Sequence, residues 1–176
     1  MHLAVCGELG AGCTEVGRLL CGKLDLKCAN SADIMKRLML DFQESFEGFE
    51  KNVRSGEVDL DKMLDSEIEE MLMEEDMIVE GRSAFMLLDR KDVFLVLLVA
   101  PEKTRIEHIA KIRKITVKEA EEVIRDSDTE RKNMVQRLFK KERLDPDNYR
   151  LIINTGTTSF EETADLIFNQ FKIFRN

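Results

Sequence analysis

A doubly wound α/β fold, with five parallel strands and helices on both faces of the sheet, is what this sequence predicts. Three observations carry that expectation. Five short apolar runs alternate with segments of helical periodicity. One of those runs, VFLVLLVA at 93–100, is apolar at every position, as a strand covered on both faces requires. The first run leads directly into a glycine-rich loop and then a helical pattern, the order in which such folds build a phosphate site.

Each element has its own reason. Residues 2–6, HLAVC, give the first strand. A helix over 14–24 follows the glycine loop, and the run at 26–29 gives the second strand. Residues 31–42 read as a helix because Asn30 is placed to cap it. Over 61–74, Met63, Leu64, Ile68, Met71 and Leu72 fall on one helical face. Residues 77–80 and 93–100 are the third and fourth strands. Pro101 stands in the first turn of the helix expected over 101–112, where its missing N–H costs nothing. The charged stretch 116–141 is expected to be helical in two pieces. Residues 150–154 supply the fifth strand. The closing helix, 159–171, begins with a capping box formed by Ser159 and Glu162.

The 176 residues are the length of one domain, and no Gly/Ser-rich linker divides them. With 43% apolar and 35% charged residues the chain reads as globular rather than disordered. A net charge of −8 disfavours nonspecific binding to nucleic acid or to a membrane surface. The longest apolar run is too short to span a bilayer. The chain opens directly on a strand pattern, with no secretory leader, so the cytoplasm is the expected compartment. Cys6, Cys13, Cys21 and Cys28 form no CxxC pair and lie at no metal-type spacing from His2 or His108. Free thiols are the expectation, and a monomer or weak dimer. The charge-rich stretches 41–62 and 111–148 look like excursions from the core.

The loop GELGAGCT comprises Gly7, Glu8, Leu9, Gly10, Ala11, Gly12, Cys13 and Thr14. Its glycines let the backbone curl so that N–H groups converge, and the following helix adds the positive end of its dipole. Thr14 stands where a hydroxyl would reach a magnesium ion bound with a nucleotide. The usual pattern ends in Gly-Lys-Ser/Thr, yet here the lysine position is Cys13. Loss of one such preorganised charge costs about 3 kcal/mol. At a helix N-terminus the Cys13 thiol is expected to have a lowered pKa.

The later segments, in order, resemble the archaeal and bacterial cytidylate kinase-like proteins of the nucleoside monophosphate kinase group. The stretches that carry the resemblance are KCANSADIMKRL, LDKMLD, VEGRSAFML, VAPEKTRIEHIAKIRKITVKEA, RDSDTER and YRLIINTGTTSFEETADLI. The resemblance runs from about residue 2 to 170. It implies a P-loop kinase fold with a nucleoside monophosphate-binding excursion over about 30–76 and a lid over about 111–148.

It also implies transfer of the γ-phosphoryl group of ATP to CMP or dCMP, with Mg2+. Arg37 and Arg82 would bind the acceptor phosphate. Arg125 and Arg131, with Arg113 as a further candidate, would close from the lid onto the transferring group. Arg105 is a candidate of the same kind. Asp61 would lie near the acceptor nucleoside, where a carboxylate accepts from the cytosine amine. Glu80 would support magnesium, and Asn154, with Thr155, would lie near the adenine. The acceptor oxygen is already ionised, so the chemistry needs positioning and charge rather than a general base. Some members of the group also lack the P-loop lysine and carry Thr. A catalytically weak nucleotide-binding module, or a kinase for another small acceptor, are the alternatives.

Overall fold

The computed structural model describes residues 1–41, 51–53, 55 and 59–175. The part of the 30–76 excursion at 42–50, 54 and 56–58, including Phe42 at the end of the expected second helix, lies outside the described residues.

Among the described residues, five strands form one parallel sheet in the order β2-β3-β1-β4-β5. They are β1 (His2–Gly7), β2 (Lys27–Ala29), β3 (Met77–Glu80), β4 (Val93–Val99) and β5 (Leu151–Asn154). The register places Leu3 opposite Ile78 on one side and opposite Phe94 on the other. The strand order reverses at β1, which places the crevice of such sheets at the carboxyl end of β1, where the glycine loop begins.

The period-2 alternation of β1 and β4 divides the core in two. Leu3 and Val5, with Phe94, Val96 and Leu98, face α1 (Cys13–Leu24) and the C-terminal helix α6 (Phe160–Arg175). Ala4 and Cys6, with Leu95 and Leu97, face the opposite side. There they pack against residues of α2 (Ser31–Asp41), α3 (Leu60–Glu74), a short 3₁₀ turn (Ser83–Leu87) and the C-terminal half of α5 (Val117–Phe139). A third cluster, Ile106, Ile109, Ala120 and Ile124, joins α4 (Glu102–Arg113) to the start of α5.

The caps explain where helices start. Asn30 Oδ1 accepts from the N–H of Ala32 at 2.8 Å and of Asp33 at 3.1 Å. Ser159 and Glu162 form the expected capping box. A second box, Thr116 with Glu119, starts α5 directly after the αL residue Lys114 ends α4. Within the 116–141 stretch, Val117–Phe139 is one continuous helix of 23 residues rather than two pieces. It holds no Gly or Pro, and its stripe of Ala120, Ile124, Met134 and Val135 is buried along its length. Cys21 and Cys28 are joined as a disulfide between α1 and β2, with Cα atoms 6.1 Å apart, which corrects the expectation of free thiols for that pair. Cys6 and Cys13 are free and buried. No helix among the described residues is long and apolar enough to cross a membrane.

Candidate active site

The glycine loop turns at Gly10 and Gly12, both in the left-handed region at φ 86° and 90°. The chain also needs glycine there for space. A Cβ on Gly10 would stand 2.8 Å from the Arg105 carbonyl oxygen, and one on Gly12 would overlap the Phe160 ring. Thr155, just past β5, holds the loop from the far side by donating to the Ala11 carbonyl at 2.8 Å.

Gly12 is the N-cap of α1 and offers no side chain to its first turn. The leading N–H groups, which no helix satisfies internally, are thus left without a side-chain cap as well. Cys13, Thr14 and Glu15 line a cavity of about 200 Å³ together with Gly7, Gly10 and Arg131. An uncapped helix end over a concave space is the geometry that binds a phosphate.

The Cys13 thiol is not acidified by this helix end. Burial, then the nearby Glu80 charge, push its pKa up to about 12, so at neutral pH the thiol is uncharged. The side chain folds back beneath Gly7, where a Cβ would collide with its Sγ. Desolvation therefore outweighs the dipole, the reverse of what the position suggested.

Beside the loop lies an open cleft of about 560 Å³. Thr14, Glu80, Arg82, Arg113 and Arg131 all line it, with Asn30 and Ser31 from the start of α2. The Thr14 hydroxyl donates to both carboxylate oxygens of Glu80, at 3.1 and 3.2 Å. Burial raises the Glu80 pKa, partly offset by that hydrogen bond. A hydroxyl and an incompletely compensated carboxylate side by side are hard oxygen donors that fit a magnesium ion.

Arg131 borders both cavities. It is 9% exposed, its Nη1 bonds to Ser127, and its Nε has no hydrogen-bond partner among the described residues. Desolvation lowers its pKa, yet a guanidinium keeps its charge at neutral pH. Arg82 pairs with Glu130 at 2.9 Å across the cleft, and Arg113 is exposed at its rim.

Other sequence candidates stand elsewhere. Arg37 is held by Glu74 at 2.8 Å and by Glu67 of the same helix α3, and lines neither cavity. Arg125 is exposed, 3.9 Å from Asp126, and also lines neither. Asp61 accepts from Arg137 at 2.7 Å and borders a third cavity, of about 380 Å³, with Met86, Leu138 and Phe139. Asn154 Oδ1 accepts from the Gly156 N–H at 2.9 Å and shapes the turn after β5.

Sequence reasoning missed a buried charge network behind the loop. Arg105 reaches Asp128 at 2.9 Å and the Leu9 carbonyl at 3.2 Å, while Arg143 reaches Glu8 at 2.8 Å. It also missed His108. That ring sits 3.0 Å from the Gly10 carbonyl and 3.2 Å from Glu15, packed on Phe160. Arg143 belongs to no local motif; Arg105 and His108 both lie in the stretch VAPEKTRIEHIAKIRKITVKEA, and of the two only Arg105 is a sequence candidate.

The sequence model of the cytidylate kinase-like family matches residues 2–157. The chain is 27% identical to a cytidylate kinase of Archaeoglobus fulgidus, over 98% of this chain and 96% of that one. It is 27% identical to a cytidylate kinase of Pyrococcus horikoshii, over 90% and 82% respectively. Among solved structures, an uncharacterized protein of Eubacterium ventriosum superposes with a TM-score of 0.78 at 13% identity, covering 98% of both chains. Shikimate kinase of Acinetobacter baumannii, in complex with shikimate, superposes at 0.58 with 16% identity, covering 98% of this chain and 93% of that one. Strand order, glycine loop and family match agree: the fold is that of the P-loop kinases, and the chain belongs to the cytidylate kinase-like family.

Proposed function

We propose that the protein is a nucleoside monophosphate kinase that transfers the γ-phosphoryl group of ATP to CMP or dCMP. The observation that carries this is Arg131, a buried guanidinium with an unpaired N–H standing at the boundary between the loop cavity and the larger cleft. Phosphoryl transfer needs a cation where two polyanions meet. With Cys13 uncharged, Arg131, which lines the same cavity, would supply the charge that a P-loop lysine supplies elsewhere.

The uncapped end of α1 and the loop N–H groups would hold the donor phosphates, with the adenine near Asn154. Thr14 and Glu80 would hold magnesium, which when bound neutralises charge on the transferring group. Arg82, exposed in the cleft, would take the acceptor phosphate by exchanging its Glu130 partner for it. Arg37 would join it only after leaving Glu74 and Glu67. The acceptor base would extend toward Asp61, whose cavity is bordered by Arg137, six residues beyond Arg131 on α5. On this reading residues 30–76 form the acceptor-binding excursion and 111–148 the lid. Arg113, Arg125 and Arg131 would then be carried by the lid onto the reacting groups.

Incubating the protein with ATP, Mg2+ and a panel of monophosphates tests the reading. Conversion of CMP or dCMP to the diphosphate is the expected result. Measurable ATP binding without turnover of any nucleoside monophosphate would instead favour a nucleotide-binding module, the reading that the uncharged Cys13 supports.

A further inference from the structure

Glu8 is an awkward residue for a phosphate-binding loop. Its side chain is 12% exposed and lines the same cavity as the leading N–H groups of α1. A carboxylate there opposes a polyphosphate unless a cation cancels it. Two guanidinium groups approach it. Arg105 lies 3.6 Å from Oε2, but its terminal nitrogens are already committed to Asp128 and to the Leu9 carbonyl. Arg143 Nη2 donates to Oε1 at 2.8 Å and is the principal partner.

Arg143 is poorly accounted for by stability. It is 8% exposed, and its Nε and Nη1 have no hydrogen-bond partner among the described residues. A buried ion pair with unsatisfied N–H groups is commonly no more stable than apolar packing of the same volume. Its main chain is nonetheless fixed, because the Tyr149 hydroxyl donates to the Arg143 carbonyl. The arginine is thus delivered to Glu8 from the segment that follows α5, 135 residues along the chain. It does not line the loop cavity itself. What it can reach is the loop's own charge.

We infer that Arg143 is a positioning residue for the phosphate-binding loop, which acts by neutralising Glu8 so that the loop can accept a polyphosphate. The inference rests on the reading of the loop as the donor-phosphate site, but not on the identity of the acceptor or on turnover. Glu8 and Arg143 then behave as a unit in which removing the cation harms binding and removing both does not.

The test is calorimetric binding of inorganic triphosphate with Mg2+ to the full chain, at fixed ionic strength, for the wild type, R143M, E8Q and the E8Q/R143M double variant. R143M is expected to weaken binding by about tenfold or more. E8Q is expected to bind at least as tightly as the wild type, and the double variant to return to within about threefold of it. Thermal melts accompany each protein. If R143M does not fold, the double variant decides, since it removes the unpaired charge along with its partner. A folded double variant that binds as weakly as R143M overturns the inference, as does unchanged binding by R143M. So does a wild type that does not bind triphosphate. The predicted binding pattern without turnover of any monophosphate would sink the kinase reading and leave this one standing.

Discussion

Replacing Arg131 by Met separates what the residue does for the reaction from what it does for the fold. The guanidinium is 9% exposed, with its Nε unpaired. Burial lowers its pKa, which marks a charge held at a cost. Leaving a buried donor unsatisfied costs about 1–3 kcal/mol. Methionine fills a similar volume without that cost, while Ser127 loses a partner and can turn its hydroxyl elsewhere. The melting temperature of R131M is therefore expected to stay level or to rise by a few degrees, at about 2–4 °C per kcal/mol for a chain of this length. Turnover should move the other way. A preorganised cation on the transferring group is worth about 2.7–4 kcal/mol, so kcat should fall by about 10²–10³-fold. Steady-state kinetics with ATP and the best monophosphate, beside a thermal melt, give both numbers. R131K should recover part of the rate. A variant that melts well below the wild type and keeps kcat within about threefold would refute the argument, because Arg131 would then be a structural residue.

Cys13→Lys restores a charge at the loop, but the thiol's place beneath Gly7 cannot hold an ammonium, so the new side chain must turn into the cavity that Arg131 borders. ATP affinity is expected to rise by about tenfold with little change in stability, by titration and melt; a neutral or harmful result would mean that Arg131 already fills the role. Glu80→Gln tests, through pH, the proposed role of Glu80 as a magnesium carboxylate. The folded-state pKa of Glu80 is raised, so its ionised form costs stability as pH rises through that value, and the cost disappears below the usual carboxylate range. E80Q should accordingly melt higher than the wild type at neutral pH and equal to it in acid, while losing Mg2+-dependent activity; a difference that persists unchanged at low pH would contradict the assignment. Gly12→Ala forces a Cβ into the Phe160 ring at a residue with φ 90°, and is expected to cost about 1–3 kcal/mol in denaturant unfolding, with partial relief from Phe160→Leu. Equal stability of G12A and the wild type would show that the ring moves freely.

The fold was readable because its cues are local. Each strand announces itself by a short apolar run, and the unbroken run in β4 reports cover on both faces before any partner is known. High charge density suggests two pieces over 116–141, but the stretch holds no Gly or Pro and opens on a capping box at Thr116, so it folds as one helix. The loop was legible for the same local reason. What lay beyond sequence was depth and distance. Helix position alone gives Cys13 an acidic thiol, and only the packing beneath Gly7 reverses the sign. The resemblance implies roles for Arg37 and Asp61, yet Glu74 and Arg137 hold them in the structure. Arg143 carried no motif, and its meaning depends on Glu8 at the other end of the chain.

The unbroken α5 has a consequence for binding equilibria. Its 23 residues span about 35 Å at 1.5 Å per residue, and Val123, Arg131 and Arg137 along it border the cleft, the loop cavity and the Asp61 cavity. A rod without a hinge cannot adjust to one ligand while ignoring the others. On the proposed reading, filling either nucleotide position would bias the pose of the helix at all three. Donor and acceptor affinities should then be linked reciprocally, with each nucleotide tightening the other by the same factor. That shared lever arm would make the two substrates act as effectors of one another without any separate regulatory site.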